Sequence, residues 1–242
     1  MIQANCRNHF TAEDFDFIIN TLARDERNKV ALTELLVDEE MRDQILDHEL
    51  LFTTVAETGG FTRISPYLYF YILTRRVLQE YQISDRGVAD YIASMLAEFS
   101  STRRAFSPAK EHPKDYQYLV DLLTDFMDAS SWEAFLLRSH LGNYSLFMTG
   151  MFPDYVNRKA IYGRGAPGFD YYEKMGSASY LWASQNKFAA EYRLAGILGS
   201  LAGQFRQIRI ALNKMADEFM QLDDNREDLD KILRQIFFGP GN

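Results

Sequence analysis

The stretch from Asn186 to Leu222 constrains this chain more than any other. Leu194, Leu198, Leu201, Phe205, Ile208, Leu212, Met215, Phe219 and Leu222 follow one another in alternating steps of four and three, and no proline interrupts them. That spacing puts every one of these side chains on a single stripe of a helix. Sustained over four heptads, it predicts one long helix over about 186–222 that acts as the spine of the fold. Such a stripe can serve as a coiled-coil seam between two chains or as the core of an intramolecular bundle. Ala202, Ala211 and Ala216 flank it where an isolated two-stranded coil usually carries charges. Small flanks admit neighbours on several sides, so bundle core is the better use and dimerisation the secondary one.

The rest of the chain reads as further helices. Thr11 with Asp14, ahead of Phe15, Phe17, Ile18, Ile19 and Leu22, opens a helix over about 12–24, because a short oxygen side chain can satisfy the free amides of a first turn. A polar break at Arg24–Asn28 precedes a short apolar segment, Val30–Val37. Asp38 then opens a helix running through Ile45, Leu46 and Phe52, ended by Glu57-Thr58-Gly59-Gly60. Ser65-Pro66 is a strong opening, since proline at the first helical position loses no hydrogen bond. Tyr67–Leu73 is apolar all round and predicts a central helix, with Arg75 and Arg76 returning it to solvent.

Ser84 begins the next helix, with Val88, Tyr91, Ile92, Met95, Leu96 and Phe99 on one face. The Ser107–Pro113 stretch carries two prolines, which makes 101–113 the place for a subdomain boundary if there is one; a single domain over 1–242 is the simpler expectation. Helices are then expected at Tyr116–Met127, from Ser131 through Leu136, Tyr144, Phe147 and Met151, from Pro153 to about Ile161, and from Phe169 through Trp182. After Asp223-Asp224-Asn225, a last one carries Leu229, Ile232, Leu233, Ile236 and Phe237. No internal repeat and no strand-type alternation is readable. The expectation is an all-α single bundle of about nine or ten helices around the 186–222 spine.

Composition sets what such a bundle can do. A chain of 242 residues with 18 Phe and 14 Tyr can bury a large core without disulfides or metals. Its formal charge of −8 repels phosphate backbones and anionic lipid, so neither a nucleic-acid nor a membrane partner is expected. Cys6 is the only cysteine, which rules out an intrachain disulfide. The first residues lack a basic region followed by an apolar run, and a cytoplasmic location is expected.

Few residues carry a chemical signature. Gly163, Gly165 and Gly168 spell a dinucleotide-type glycine loop, but a helix precedes it and Pro167 removes an amide donor, so the phosphate-cradling context is wrong. What survives is a basic cluster, Arg158, Lys159 and Arg164, beside a loop over 163–168 that could contact one phosphate or carboxylate. His140 and Asn143 share a helical face with Leu136, Tyr144 and Phe147. A histidine and an amide there could serve an aromatic ligand pocket, with His140 as acid or base and Tyr144 lining it. Gly142 beside them signals a closely approaching helix.

His48-Glu49 opens like a zinc-protease motif but has Phe52 at the second ligand position. Cys6 and His9 make a single incomplete pair, and Asp223, Asn225 and Glu227 lack the glycine and final glutamate of a calcium loop, so no metal is expected. Ser84–Leu96 has some likeness to a recognition helix, against which the acidic charge weighs.

The run Tyr192–Gln204, with Gly196, Gly199 and Gly203, is similar to the glycine-rich distal helix of haem oxygenases, in which glycines let the backbone lie over haem. The likeness covers about a dozen residues, its small-residue spacing is out by one, and no histidine stands in a matching proximal motif. No cofactor is expected. The reading that follows is a non-enzymatic helical protein acting through a protein partner or self-association. The alternative is a small-ligand enzyme or sensor built on His140, Asn143, Tyr144, Arg158, Lys159 and Arg164.

Overall fold

The structure is a computed structural model that describes residues 1–58, 60, 63–100, 129–162 and 167–220. The expected linker at 101–113, the helix at 116–127, the residues 163–166 that include Arg164, and the helix at 229–237 lie outside the described residues. Among the described residues there are twelve α-helices and one 3₁₀ turn, Cys6–His9, with no β-strand. The helices are α1 (Ala12–Leu22), α2 (Glu26–Leu35), α3 (Glu39–Leu46), α4 (Glu49–Glu57), α5 (Pro66–Glu80) and α6 (Arg86–Phe99), followed by α7 (Ser131–Met151), α8 (Pro153–Tyr162), α9 (Phe169–Ser184), α10 (Lys187–Glu191), α11 (Ala195–Gly203) and α12 (Phe205–Phe219). Among the described residues no helix is long and apolar enough to cross a membrane.

The helix starts follow the capping chemistry. Thr11 and Asp14 form a reciprocal capping box on α1, and the Ser65 hydroxyl accepts the Leu68 amide at the start of α5. Asp14 does more than cap its own helix. Its buried carboxylate also accepts the Ser65 amide at 2.7 Å, tying the start of α1 to the start of α5. The break expected at Arg24–Asn28 falls at Ala23, Arg24 and Asp25, and the Asp25 side chain caps α2 by accepting from the Asn28 amide. The helix expected from Asp38 to Phe52 is two, because His48 Nδ1 accepts the Leu50 amide and starts α4 afresh.

The 186–222 spine is corrected in the same way. It is three helices, α10, α11 and α12. The first break is at Arg193, which adopts the left-handed conformation with φ of 57°. There the Leu194 amide reaches back to the Ala189 carbonyl at 2.7 Å and the Arg193 amide to Ala190, the paired bonds of a Schellman stop with arginine where glycine is usual. The second break is at Gln204. Ser177 of α9 donates to the Ala202 carbonyl at 2.8 Å, taking an acceptor that an unbroken helix would offer to the Arg206 amide. The apolar stripe survives both breaks: Leu194, Leu198, Leu201, Phe205, Ile208, Leu212 and Met215 are all buried within the chain. It is bundle core rather than a dimer seam.

Six helices close a ring around that core. α5 packs on α6, α6 on α11, α11 on α9, α9 on α7, α7 on α12, and α12 back on α5. α4 lies outside the ring against α5, and α1 lies against α4. Arg75 does not lead α5 to solvent as its sequence suggests. It is 6% exposed and holds Asp47 through Nε and Nη2, part of a network in which Arg86 also holds Asp47 while Arg7 holds Asp43 and Asp90. Three arginines and three aspartates therefore seat the N-terminal turn and the end of α3 on α5 and α6.

Close approach inside the ring depends on particular glycines. A Cβ on Gly142 of α7 would meet the Tyr180 ring at 2.6 Å, and one on Gly176 of α9 would meet Phe205 at 2.4 Å and Ser145 at 2.8 Å. Gly196, Gly199 and Gly203 have nothing within 4 Å of such an atom, so they are not contact points for a neighbouring helix. The two sets should answer alanine oppositely. Gly176→Ala drives a methyl into a buried ring and should cost about 1–3 kcal/mol, whereas Gly199→Ala should gain about 0.5–1 kcal/mol of helix propensity. Urea unfolding of both variants checks this, and equal effects would contradict it.

Candidate functional site

α7 carries His140, Asn143 and Tyr144, and it is a central helix with little solvent contact. The Ser130 hydroxyl and Glu133 carboxylate form its capping box, and from Phe135 onward it is buried on several sides. His140 is 3% exposed, with its ring edge-to-face against Phe99 of α6 at 5.8 Å between centroids. Asn143 is 2% exposed, and its Oδ1 accepts from the Tyr91 hydroxyl of α6 at 2.9 Å and from the Tyr180 hydroxyl of α9 at 2.8 Å. All three members of this network are buried, and Gly142 is what lets the Tyr180 ring come close enough to join it. Asn143 thus pins three helices together at one oxygen.

Tyr144 points elsewhere. It is half-buried in a second, smaller cluster built from Met148, Val156 and Tyr172, with Tyr155, Phe147, Phe152 and Phe169 packed around it. Burial raises the Tyr144 phenol well above its ordinary range, with the Tyr172 and Tyr155 hydroxyls adding to the effect. Tyr172 is pushed up to about 12 for the same first reason. Lys159 of α8 lies over the Tyr155 ring, 5.5 Å from its centroid, and donates to its hydroxyl at 3.4 Å. Burial pulls this ammonium below its usual range. Arg158 is exposed on the same helix. Aromatic packing runs between the surroundings of His140 and Tyr144, Phe99 against Phe147 and Phe147 against Phe152, while Asn143 turns to the opposite network.

A surface that the sequence did not single out lies on the outer side of α9. Tyr171 is 40% exposed, Leu181 50% and Trp182 40%, while the inner side of the same helix buries Tyr172, Gly176, Ser179, Tyr180 and Ala183. Arg138 of α7 reaches over the Trp182 ring at 5.7 Å. The helix is fixed at both levels of its inner side: the Tyr180 hydroxyl holds Asn143, and Glu173 holds Arg206 and Arg209 of α12. Burial alone would raise the Glu173 carboxyl, but its bonds to Arg206 and Arg209 keep it below the usual range. The signal was present in the sequence, as apolar residues on two faces of one helix.

No protein-family model, no curated protein and no solved structure matches the chain. Among the described residues no group of three or more His, Cys, Asp or Glu could hold a metal ion.

Two expectations follow from the tyrosines. Asn143→Leu leaves the Tyr91 and Tyr180 hydroxyls buried without their acceptor and should lower stability by about 2–4 kcal/mol, measured by urea unfolding. A change under about 1 kcal/mol would mean that the network is not a structural pin. The raised phenols also fix an alkaline limit. Tyr144, Tyr172 and Tyr180 keep their protons in the folded chain, whereas unfolded tyrosines lose theirs near pH 10. The stability they contribute is complete below about pH 10 and is lost as pH rises toward the folded values. Phenolate absorbance and circular dichroism should then change together above that pH. Full phenol titration with the helices intact would contradict this.

Proposed function

We propose that this protein works by binding another protein through the outer face of α9, as a scaffold or regulator rather than as an enzyme. The observation that carries the reading is the exposure of Tyr171, Leu181 and Trp182 on one face of a helix whose other face is locked into the core. A rigid helix showing large aromatic and aliphatic side chains is the usual make-up of a contact surface. Trp and Tyr supply much area at low entropic cost, and a nearby arginine such as Arg138 fits the same pattern.

The ligand alternative has less to stand on. His140 is nearly sealed from solvent and packed on Phe99, and the Asn143 acceptor is taken by two phenols. Lys159 and Tyr155 offer a cation and a ring, but they are already engaged with each other.

The contact surface can be tested in the cells the chain comes from. A photo-activatable residue in place of Leu181 should give a discrete protein adduct, and the same residue in place of Thr33, which is exposed on α2, should not. Adding Trp182→Glu should remove most of the adduct. No adduct at Leu181, or one indifferent to Trp182→Glu, would reject the reading.

A further inference from the structure

We infer that the partner of the α9 face is a second copy of this chain, packed antiparallel about a two-fold axis beside Ala178. This rests on the reading of α9 as a contact surface and goes on to name what contacts it. Ala178 is exposed at the middle of the stripe. At about 100° per residue, Tyr171, Met175 and Trp182 fall on one side of it and Lys174 and Leu181 on the other. A two-fold axis perpendicular to the helix keeps each side chain on its own side of the seam and inverts its height. With a rise of about 1.5 Å per residue, Met175 sits about 4.5 Å to one side of Ala178 and Trp182 about 6 Å to the other.

The inversion therefore brings Met175 of one copy level with Trp182 of its partner, on the same side, with Tyr171 covering the outer edge of that indole. Across the seam, the aliphatic stem of Lys174 comes level with Leu181. Ala178 at the centre leaves the two backbones room to approach. The stripe is thus complementary to itself, which a two-fold interface requires and an unrelated partner does not. Charge agrees with this arrangement. Lys174 is the one charged residue among the exposed side chains between Tyr171 and Trp182, and the inversion sets the two copies of it about 12 Å apart, beyond the screening length of about 8 Å at physiological salt. One helix face buries less than the roughly 1,200 Å² at which standard interfaces begin, so the dimer should be weak, with a Kd on the order of micromolar or above.

Ala178→Cys tests the geometry on the full chain, because two thiols beside the axis face each other. Cys6 does not interfere, being buried, and burial holds its thiol protonated. Under mild oxidation Ala178→Cys should form a covalent dimer at least about tenfold faster than Thr33→Cys, through the raised effective concentration of paired thiols. Adding Trp182→Glu should bring it down to the control rate with the helical circular dichroism intact. Equal rates for the two thiols would overturn self-pairing, as would a face covered by residues 101–128 or 221–242 of its own chain, which gives the same result. If self-pairing fails while the Leu181 adduct persists with a different protein, the contact surface stands and only its occupant changes. If both fail, neither reading holds.

Discussion

The approach of α7 to α9 is the constraint on which the rest of the structure depends. It needs a missing side chain at Gly142 to admit the Tyr180 ring and another at Gly176 to admit Phe205. Once the helices are that close, Tyr180 and Tyr91 can both reach Asn143, and one amide oxygen fixes α6, α7 and α9 to each other. The packing places the polar atoms, and the polar atoms define the packing. Apolar burial alone is non-directional, whereas a buried acceptor with two donors has a single register in which it is satisfied.

The remaining helices close around that contact. α11 lies on α9 through Ser177, α12 is held to α9 by Glu173, and both carry their part of the buried leucine stripe. On the other side of the ring, three arginines and three aspartates fasten the N-terminal turn. Removing any one of them would leave a partner charge poorly solvated, so the network specifies position more than it adds stability. α2 is the exception, with no buried residue and with Val30 and Leu35 exposed.

Much of this was legible in the residues. The all-α class, the starts at Thr11, Ser65 and Pro153, and the close neighbour at Gly142 came from periodicity, capping chemistry and one glycine. Periodicity could not show that the 186–222 helix is broken, because the apolar stripe continues through the breaks. The stop at Arg193 uses arginine in a conformation associated with glycine, and the one at Gln204 is answered by a hydroxyl twenty-seven residues earlier in the chain. Likewise Arg75 looks like a solvent residue until Asp47 is placed beside it. Of the candidate site, the sequence located a buried polar pair on α7 but not the direction each member faces. It gave no sign that His140 and Tyr144 belong to different packing environments.

On the function proposed above, in which a partner binds its outer face, these contacts make α9 a platform. Its inner side is held by a hydrogen bond, an ion pair and ring packing, so the outer side is presented at little entropic cost to whatever binds it. Amide hydrogen exchange on the full chain tests that claim most directly. Amides of α7 and α9 around Asn143 and Tyr180 should exchange only through global unfolding, while those of α2 should exchange far faster by local opening. If the α9 amides exchange as quickly as those of α2, α9 is not locked to the core, and the account of its outer face as a rigid contact surface is contradicted.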